Sequence, residues 1–201
     1  MLPVNLKTFN LVCRLPVYGL VSRMEVFEAI QKRRSVRAYL PEPVPEDKLM
    51  RILEAGRVAP SAGSIQPWHF IVVIDKQRRE ALAKGGRYAK FMAEAPVAIV
   101  GCGNRKASPN WNVVDTAIAM QNMVLAAVGE GLATCWVGSF KEGKVRELLK
   151  IPEQFSVVAL LAVGYAREKR DLTAKVAHFI RRRKKIEKIT SLDEFGAPFA
   201  E

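Results

Sequence analysis

The order of apolar segments along the chain predicts a single domain of the α+β or α/β class. The chain has 201 residues, of which 49% are hydrophobic and 26% charged, as expected of one domain with a substantial core. Segments with helical spacing alternate with short, almost wholly apolar segments that are typical of strands. The sequence shows no internal repeat and no low-complexity linker. Helices and strands are therefore expected to share one core.

Two helices are predicted near the beginning of this pattern. Residues 24–33 place Val26, Phe27 and Ile30 on one side at helical spacing. An extended connection follows, because each proline disfavours helical geometry in the residue before it. Pro45 then begins a second helix with acidic residues in its first turn. Its inner face is expected to consist of Leu49, Ile52, Leu53 and Gly56.

Two apolar segments predict central strands. Residues 69–74 and 96–102 contain few polar side chains and many β-branched ones, as expected of strands buried on both faces. Between them, residues 76–94 are expected to be helical, with a break at Gly85-Gly86. Closer to the C terminus, the pattern predicts a strand, a helix and another strand at residues 133–137, 141–150 and 157–164.

Residues 113–130 form the longest helical segment and are apolar on nearly every side. Asp115 and Glu130 are its only charged residues, and Gln121 and Asn122 form a polar pair near its middle. A membrane span needs about 20 predominantly apolar residues, so these interruptions argue against one. We expect a helix that lies in the core and also packs against another subunit.

Charge and cysteine content limit the function classes without selecting one. The formal net charge of +12 attracts nucleotides, nucleic acid and acidic lipid alike. The cysteines Cys13, Cys102 and Cys135 are odd in number and far apart, so neither a disulfide framework nor a zinc site is indicated, and cytoplasmic localisation is expected. Two histidines make a Ser–His–Asp triad a poor hypothesis.

Residues 1–23 differ from the rest of the chain because they contain three basic residues and no acidic one. Arg14, Pro16 and Gly19 interrupt their apolar stretch, whereas a secretory signal needs an unbroken run of roughly 7–15 apolar residues. We interpret this segment as an N-terminal arm, or as an extension before an actual start at Met24. Residues 24–201 then form the single domain.

Four polar segments together suit a phosphorylated planar cofactor. Within residues 33–37, two arginines flank a serine at a spacing of two, which directs them to one side of an extended backbone. Arginines that stabilise a helix C terminus are the alternative. The loop 60–68 and the strand end at 136–140 offer backbone donors beside aromatic residues, and the basic cluster 181–185 suits a phosphate.

In their order and spacing, these segments resemble the FMN-dependent nitroreductase family. The family pattern contains Arg-x-Ser-x-Arg/Lys, then Ala-Pro-Ser-x-x-Asn-x-Gln-Pro-Trp, then Gly-Leu-x-x-x-Trp-x-Gly. The corresponding segments here are residues 33–37, 59–68 and 131–140, with an interface-helix segment at 115–122 and a C-terminal clamp at 181–187. The resemblance implies an α+β, three-layer α/β/α fold with a central mixed, largely antiparallel sheet and a long buried interface helix.

The resemblance also implies an FMN site that two subunits build together. The implied contacts are Arg33, Arg34, Ser35, Arg37, Pro60, Ser61, Ala62, Ser64, Gln66, Gly138, Ser139, Arg181 and Arg183. By this resemblance, the phosphate is bound by Arg33, Arg181 and Arg183 and accepts a hydrogen bond from Ser35. Arg37 lies near N1 and O2 of the ring, the amides of the 138–139 turn face N5, and the loop covers the ring from the second subunit. No catalytic side chain and no metal is implied.

Two details depart from the family pattern or are not fixed by it. Ser64 stands where the family usually has asparagine, whose amide can bond the ring through both a donor and an acceptor. A second cation at the ring edge is expected in the segment before the second strand, and Arg87 and Lys90 are both candidates.

The implied reaction is ping-pong reduction of a nitroaromatic, a quinone or a free flavin by NAD(P)H, through tightly bound FMN in a cytoplasmic homodimer. A specialised flavin enzyme on the same scaffold, for flavin fragmentation or reductive dehalogenation, is one alternative. A nucleic-acid-binding protein that uses residues 181–185 is a weaker one, because no aromatic residue interleaves that cluster. The sequence does not distinguish NADH from NADPH and does not name the physiological acceptor.

Overall fold

The computed structural model describes residues 24–86, 89–167 and 183–199. The chain divides into two compact units, Met1–Arg167 and Glu168–Glu201, and each is described by itself. The expected N-terminal arm lies outside the described residues. In the second unit a 3-10 helix covers Ile186–Lys188, and Thr190 Oγ1 donates a hydrogen bond to Ile186 O at 2.9 Å.

The first unit contains five α-helices and four strands within its described residues. The helices are α1 Val26–Lys32, α2 Glu46–Arg57, α3 Lys76–Lys84, α4 Asn112–Gly129 and α5 Glu142–Leu149. The strands are β1 Trp68–Val73, β2 Val97–Asn104, β3 Ala133–Val137 and β4 Phe155–Gly164. Two 3-10 helices cover Ala62–Ser64 and Lys90–Ala93. Each predicted helix and strand is present, with its ends within a few residues of the expected ones.

Local sequence signals account for the helix boundaries. Pro45 occupies the N-cap of α2, ahead of two acidic residues in the first turn. Asp75 caps α3, where its side chain accepts a hydrogen bond from Arg78 N at 2.9 Å. Lys150 ends α5 in the left-handed conformation, with φ 54°, before Pro152.

The four strands form one antiparallel sheet in the order β1-β2-β4-β3. The prediction of a central, buried β2 is confirmed, because seven of its eight residues are buried. The prediction that β1 is buried on both faces is wrong. Among the described strands β1 pairs only with β2, and all of its residues before Val73 are partly or fully exposed. Among the described residues, parallel pairing is limited to an isolated bridge between Ser35 and Thr134.

Helices cover both faces of the sheet, which gives three layers. On one face, Ile52 of α2 and Met120 and Met123 of α4 pack against Ile99 and Leu161. On the other face, the core includes Leu82, Met92, Val100, Val145 and Leu160. Adjacent residues 160 and 161 therefore point to opposite cores, as the two-residue period of a strand requires.

The long helix α4 buries one side and exposes apolar residues on another. Met120 and Met123 are fully buried, whereas Val113 is 50% exposed. The expected apolar stripe of α1 exists as well, but Val26 and Phe27 are 70% and 69% exposed in the single chain. Among the described residues, no helix has the length and apolar composition needed to cross a membrane.

Candidate functional site

The arginine-rich segment leaves α1 in an extended conformation and pairs with the sheet. Arg33 has φ −52° and ψ 127°, which ends the helix. Ser35 then forms a parallel bridge with Thr134 of β3, and Val36 N donates to Thr134 O at 3.0 Å. The extended backbone that the spacing of two required is therefore present at this position.

The two arginines and the serine lie around one buried thiol. Burial raises the pKa of Cys135, while the positive charges of Arg37 and Arg33 and a hydrogen bond from Ser35 act in the opposite direction. Since Arg33, Ser35 and Arg37 alternate along an extended backbone, they are expected to share one side of the segment. The site therefore contains two guanidinium groups and a hydroxyl that can serve one anion.

Arg34 has a different environment. Its guanidinium donates hydrogen bonds to Gln31 O and, at 2.9 Å, to Arg33 O, both at the C-terminal end of α1. These contacts fit the alternative role of arginine at a helix C terminus. Its predicted contact with the cofactor stays a prediction.

Arg37 lies beside the aromatic pair Phe91 and Tyr39, and Phe91 is adjacent in sequence to Lys90. Its guanidinium carbon is 6.0 Å from the ring centroid of Phe91, and Phe91 is 6.5 Å from Tyr39. Tyr39 is buried, which raises the pKa of its hydroxyl, and its OH donates to Val36 O at 2.7 Å. Lys90 directly precedes Phe91 in the 3-10 helix. Of the two ring-edge candidates, Arg87 lies outside the described residues.

The turn after β3 rests on the two glycines that follow α3. Gly138 is exposed, and a Cβ added to it would meet no other atom within 4 Å. Lys141 N donates to Gly85 O at 3.2 Å. A Cβ added to Gly86 would lie only 1.6 Å from Ser139 O. Gly85-Gly86 was expected only as a helix break, whereas in the structure it allows two backbones to approach closely.

A cavity of about 820 Å³ lies where these glycines meet the turn. Small residues form much of its lining, and three lysines and one glutamate contribute charge. The lining residues are Glu80, Ala83, Lys84, Gly85, Gly86, Lys90, Ala93 and Lys141. The cavity thus joins Lys90 to the segment that follows the Gly138-Ser139 turn.

The loop 60–67 has an unusual backbone that its own polar groups stabilise. Gly63, Ser64 and Gln66 have φ values of 58°, 55° and 52°, in the left-handed region. Ser61 accepts hydrogen bonds from Ser64 N at 3.0 Å and, through its hydroxyl oxygen, from Gln66 N at 2.9 Å. Asparagine enters this backbone region more readily than serine, which gives a physical reason for asparagine at position 64 in the family pattern.

Asp115 ties this loop to α4. Its Oδ1 accepts a hydrogen bond from Ala62 N at 3.2 Å, and the residue is only 3% exposed. Its Oδ2 is buried and has no hydrogen-bond partner among the described residues. The sequence showed Asp115 only as a polar interruption of an apolar helix. Its contact with the loop spans 53 residues, which the helical pattern does not reveal.

A single chain does not bring the two halves of the predicted site together. Ser35 lies beyond β3, at one end of the strand order, and the loop precedes β1, at the other end. Four strand spacings of about 4.8 Å separate these positions, or roughly 19 Å. Arg181 lies outside the described residues and Arg183 belongs to the second unit. Their contacts with a phosphate stay predictions.

Comparison with known proteins now decides the family. The sequence model of the Nitroreductase family matches residues 30–85 and 75–165. The chain belongs to the nitroreductase family. A protein of Methanothermobacter thermautotrophicus, provisionally named NADH dehydrogenase/NAD(P)H nitroreductase, is 39% identical over 157 residues, which are 75% of this chain and 82% of that protein.

A solved structure and a second relative extend the comparison. The FMN-dependent nitroreductase of Clostridium difficile R20291 is 33% identical, with a TM-score of 0.65 over 77% of this chain and 98% of its own. The 5,6-dimethylbenzimidazole synthase of Rhodospirillum rubrum is 28% identical over 169 residues, 69% of this chain and 80% of that protein. These likenesses confirm the expected family and the α+β fold of this nitroreductase-family chain.

The described residues fit the FMN that the family implies. A phosphate suits the guanidinium group of Arg33 and the hydroxyl of Ser35, which lie two residues apart on an extended segment beside β3. A flat ring suits the open space over Gly138 and the adjoining cavity. Lys90 lines that cavity, and its cation is of the kind that an electron-rich ring edge favours.

Proposed function

We propose that this nitroreductase-family chain is an FMN-dependent NAD(P)H oxidoreductase that reduces small electron-poor aromatic compounds. The observation that carries the proposal is that the extended segment of Arg33, Ser35 and Arg37 pairs with β3, the strand that ends at the open Gly138 turn. The strand β3 therefore lies beside the arginine segment and ends at the exposed Gly138 turn.

Each group has a defined task in this proposal. Arg33 and Ser35 bind the phosphate of FMN, together with Arg181 and Arg183 of the C-terminal cluster. Arg37 and Lys90 stabilise negative charge on the pyrimidine edge of the ring, which raises its reduction potential. FMN, when bound, accepts a hydride from NAD(P)H and passes two electrons to a nitroaromatic, a quinone or a free flavin.

The proposal includes a tight homodimer in which each site takes its loop from the partner copy. Two observations support it. The arginine segment and the loop 60–67 lie at opposite ends of the strand order within one chain. In addition, α1 and α4 expose apolar residues, among them Phe27 and Val113, in the single chain. A second copy that covers these residues would also bring its loop to the first copy's arginines.

The ordered exchange of two substrates at one face predicts ping-pong kinetics. The donor leaves before the acceptor enters, because both must lie against the same side of the ring near Gly138. Parallel lines in double-reciprocal plots would support this order. Intersecting lines would show that donor and acceptor bind together, and would remove the shared face from the proposal.

An absorbance spectrum of the purified protein, followed by anaerobic addition of NADH and then NADPH, tests the proposed activity. The expected protein is yellow and is bleached by at least one nucleotide within the time of mixing. Bleaching by only one nucleotide identifies the donor. If the purified protein is colourless and gains no flavin absorbance when FMN is added, the proposal that it binds FMN is contradicted.

A synthase that fragments flavin, the alternative that the family resemblance implies, is the second candidate, because a relative named 5,6-dimethylbenzimidazole synthase matches 69% of the chain. Such an enzyme would fragment FMN and release 5,6-dimethylbenzimidazole along with the rest of the cofactor. Chromatography of the reaction after aerobic turnover distinguishes the two. Recovery of intact FMN supports the reductase, and loss of FMN with release of a benzimidazole supports the synthase.

A further inference from the structure

The cavity beside the Gly138-Ser139 turn carries more positive charge than a flavin ring requires. Three lysines and one glutamate line it, so its net charge is positive. Lys90 accounts for the ring edge in the proposed function, which leaves Lys84 and Lys141 without a role. Within the described residues, none of the ion pairs involves any of these lysines.

The two remaining lysines line the cavity from two different elements of the fold. Lys84 is the last residue of α3, and Lys141 directly precedes α5. A backbone hydrogen bond connects the end of α3 to the start of α5, because Lys141 N donates to Gly85 O at 3.2 Å. The negative end of α3 and the positive end of α5 meet here, so their dipoles oppose each other. The lysine side chains therefore decide the sign of the local charge.

Small residues make up half of the cavity lining, which leaves room for a ligand beside the backbone. Ala83, Gly85 and Gly86 have no long side chains, and Gly86 lies against Ser139 of the turn. A ligand in this cavity would therefore lie within reach of both Lys84 and Lys141. A phosphate in that position would gain two unpaired cations at little steric cost.

We propose that Lys84 and Lys141 bind the phosphates of the nicotinamide dinucleotide while its nicotinamide lies against the flavin. This inference rests on the proposed function, because it takes the 138–139 turn as the place of hydride transfer. It adds a donor-binding site that is separate from the FMN phosphate site at Arg33. Since both lysines are exposed, their attraction is screened by salt and acts on donor binding rather than on hydride transfer itself.

The test compares natural donors with one that carries no phosphate. The variants are Lys84→Gln, Lys141→Gln and the double variant, and the donors are NADH, NADPH and N-benzyl-1,4-dihydronicotinamide. Lys76→Gln is the matched control, because Lys76 is an exposed lysine at the other end of α3 and does not line the cavity. Flavin content is measured for every variant before kinetics.

The expected result is a KM for NADH and NADPH that rises roughly 3- to 10-fold for each lysine removed, with kcat little changed. The phosphate-free donor should react with all variants at the wild-type rate. The rise in KM with ionic strength should be smaller in the double variant than in the wild type. The Lys76→Gln control should behave as the wild type with every donor.

Three outcomes would overturn the inference. An equal loss of rate with the phosphate-free donor would show that the lysines act on the ring and not on the phosphates. Loss of flavin from the double variant would assign both lysines to FMN. An unchanged KM for both dinucleotides would leave the cavity without a donor. A wild-type protein that binds no FMN would instead remove the proposed function, before any variant is compared.

Discussion

The contact between Gly86 and Ser139 can be tested by adding a single methyl group. In Gly86→Ala the new Cβ would lie 1.6 Å from Ser139 O and 2.7 Å from Ser139 C, whereas ordinary van der Waals contact begins at 3.4 Å. The obstacle is backbone and cannot rotate away. The two segments must therefore separate by about 1.8 Å, the difference between 3.4 Å and 1.6 Å.

The size of the effect follows from that displacement. Forced backbone shifts in packed regions cost about 1–3 kcal/mol, so the free energy of unfolding should fall by that amount. In the proposed function the same turn faces the reacting edge of the flavin. A misplacement of about 1 Å can lower a rate by roughly 100-fold, so flavin reduction should slow more than stability alone suggests.

Gly85→Ala provides the matched control. A Cβ there would be 3.2 Å from Leu82 O, which requires a shift of only a few tenths of an ångström. Gly85 also has right-handed helical angles, φ −71° and ψ −16°, that alanine adopts readily. Thermal unfolding and stopped-flow reduction of the flavin should separate the two variants. If both variants unfold and react alike, the close approach of the two backbones has no energetic or catalytic consequence, and this reasoning fails.

Three further predictions concern the loop 60–67 and the buried thiol of Cys102. Ala62→Pro removes the donor to buried Asp115 while keeping a backbone that Ser61, at φ −143° and ψ 155°, already suits, so chemical denaturation should show a loss of about 1–3 kcal/mol. Ser64→Asn relieves left-handed strain at φ 55° and should raise the free energy of unfolding by about 0.5 kcal/mol and slow FMN release, as measured by flavin fluorescence. Burial raises the pKa of Cys102 from 9.0 to about 11, so the protonated thiol favours the folded state. Stability from this group is complete below pH 9 and should fall by about 2–3 kcal/mol between pH 9 and 11 in urea titrations.

Each of these predictions has an outcome that contradicts it. In an Asp115→Ala background, Ala62→Pro should lower the free energy of unfolding by less than about 0.5 kcal/mol. An equal loss of stability with and without the Asp115 carboxylate would show that the two residues do not interact. Faster FMN release from Ser64→Asn would mean that the shorter hydroxyl suits the ring. Replacement of Cys102 by alanine should reduce the loss of stability above pH 9, and an unchanged slope would assign that loss to other groups.

The sequence predicted the helices and strands well because their signals are local. Pro45 with its two following acids begins α2, and the glycine-bounded apolar segments become β3 and β4. Strand position in the sheet was less accessible. Apolar side chains in β1 predicted burial on both faces, but the number of neighbouring strands is a property of the whole sheet. Only β2 lies beside β1 among the described strands, so its residues stay partly exposed.

The candidate site shows the same division between local and distant signals. The spacing of Arg33 and Arg37 correctly indicated an extended segment, because that geometry depends on consecutive residues, and the shared side of their side chains stays a prediction. Neither the Asp115 contact with Ala62 nor the Gly86 contact with Ser139 has a local signature. Both join positions more than 50 residues apart, and only the fold brings them together.

Helix α4 links the proposed subunit interface to the proposed cofactor loop. Its first turn holds the loop through Asp115, and the same turn exposes Val113 and Val114. A second copy that covers these valines would therefore contact the first turn of α4, which holds Ala62 through Asp115. The unpartnered Oδ2 of Asp115 lies at this point, where water or a partner group would complete its hydrogen bonding. Chain association and loop geometry then depend on one helix, which gives a physical reason for a long, apolar α4 to keep a carboxylate in its first turn.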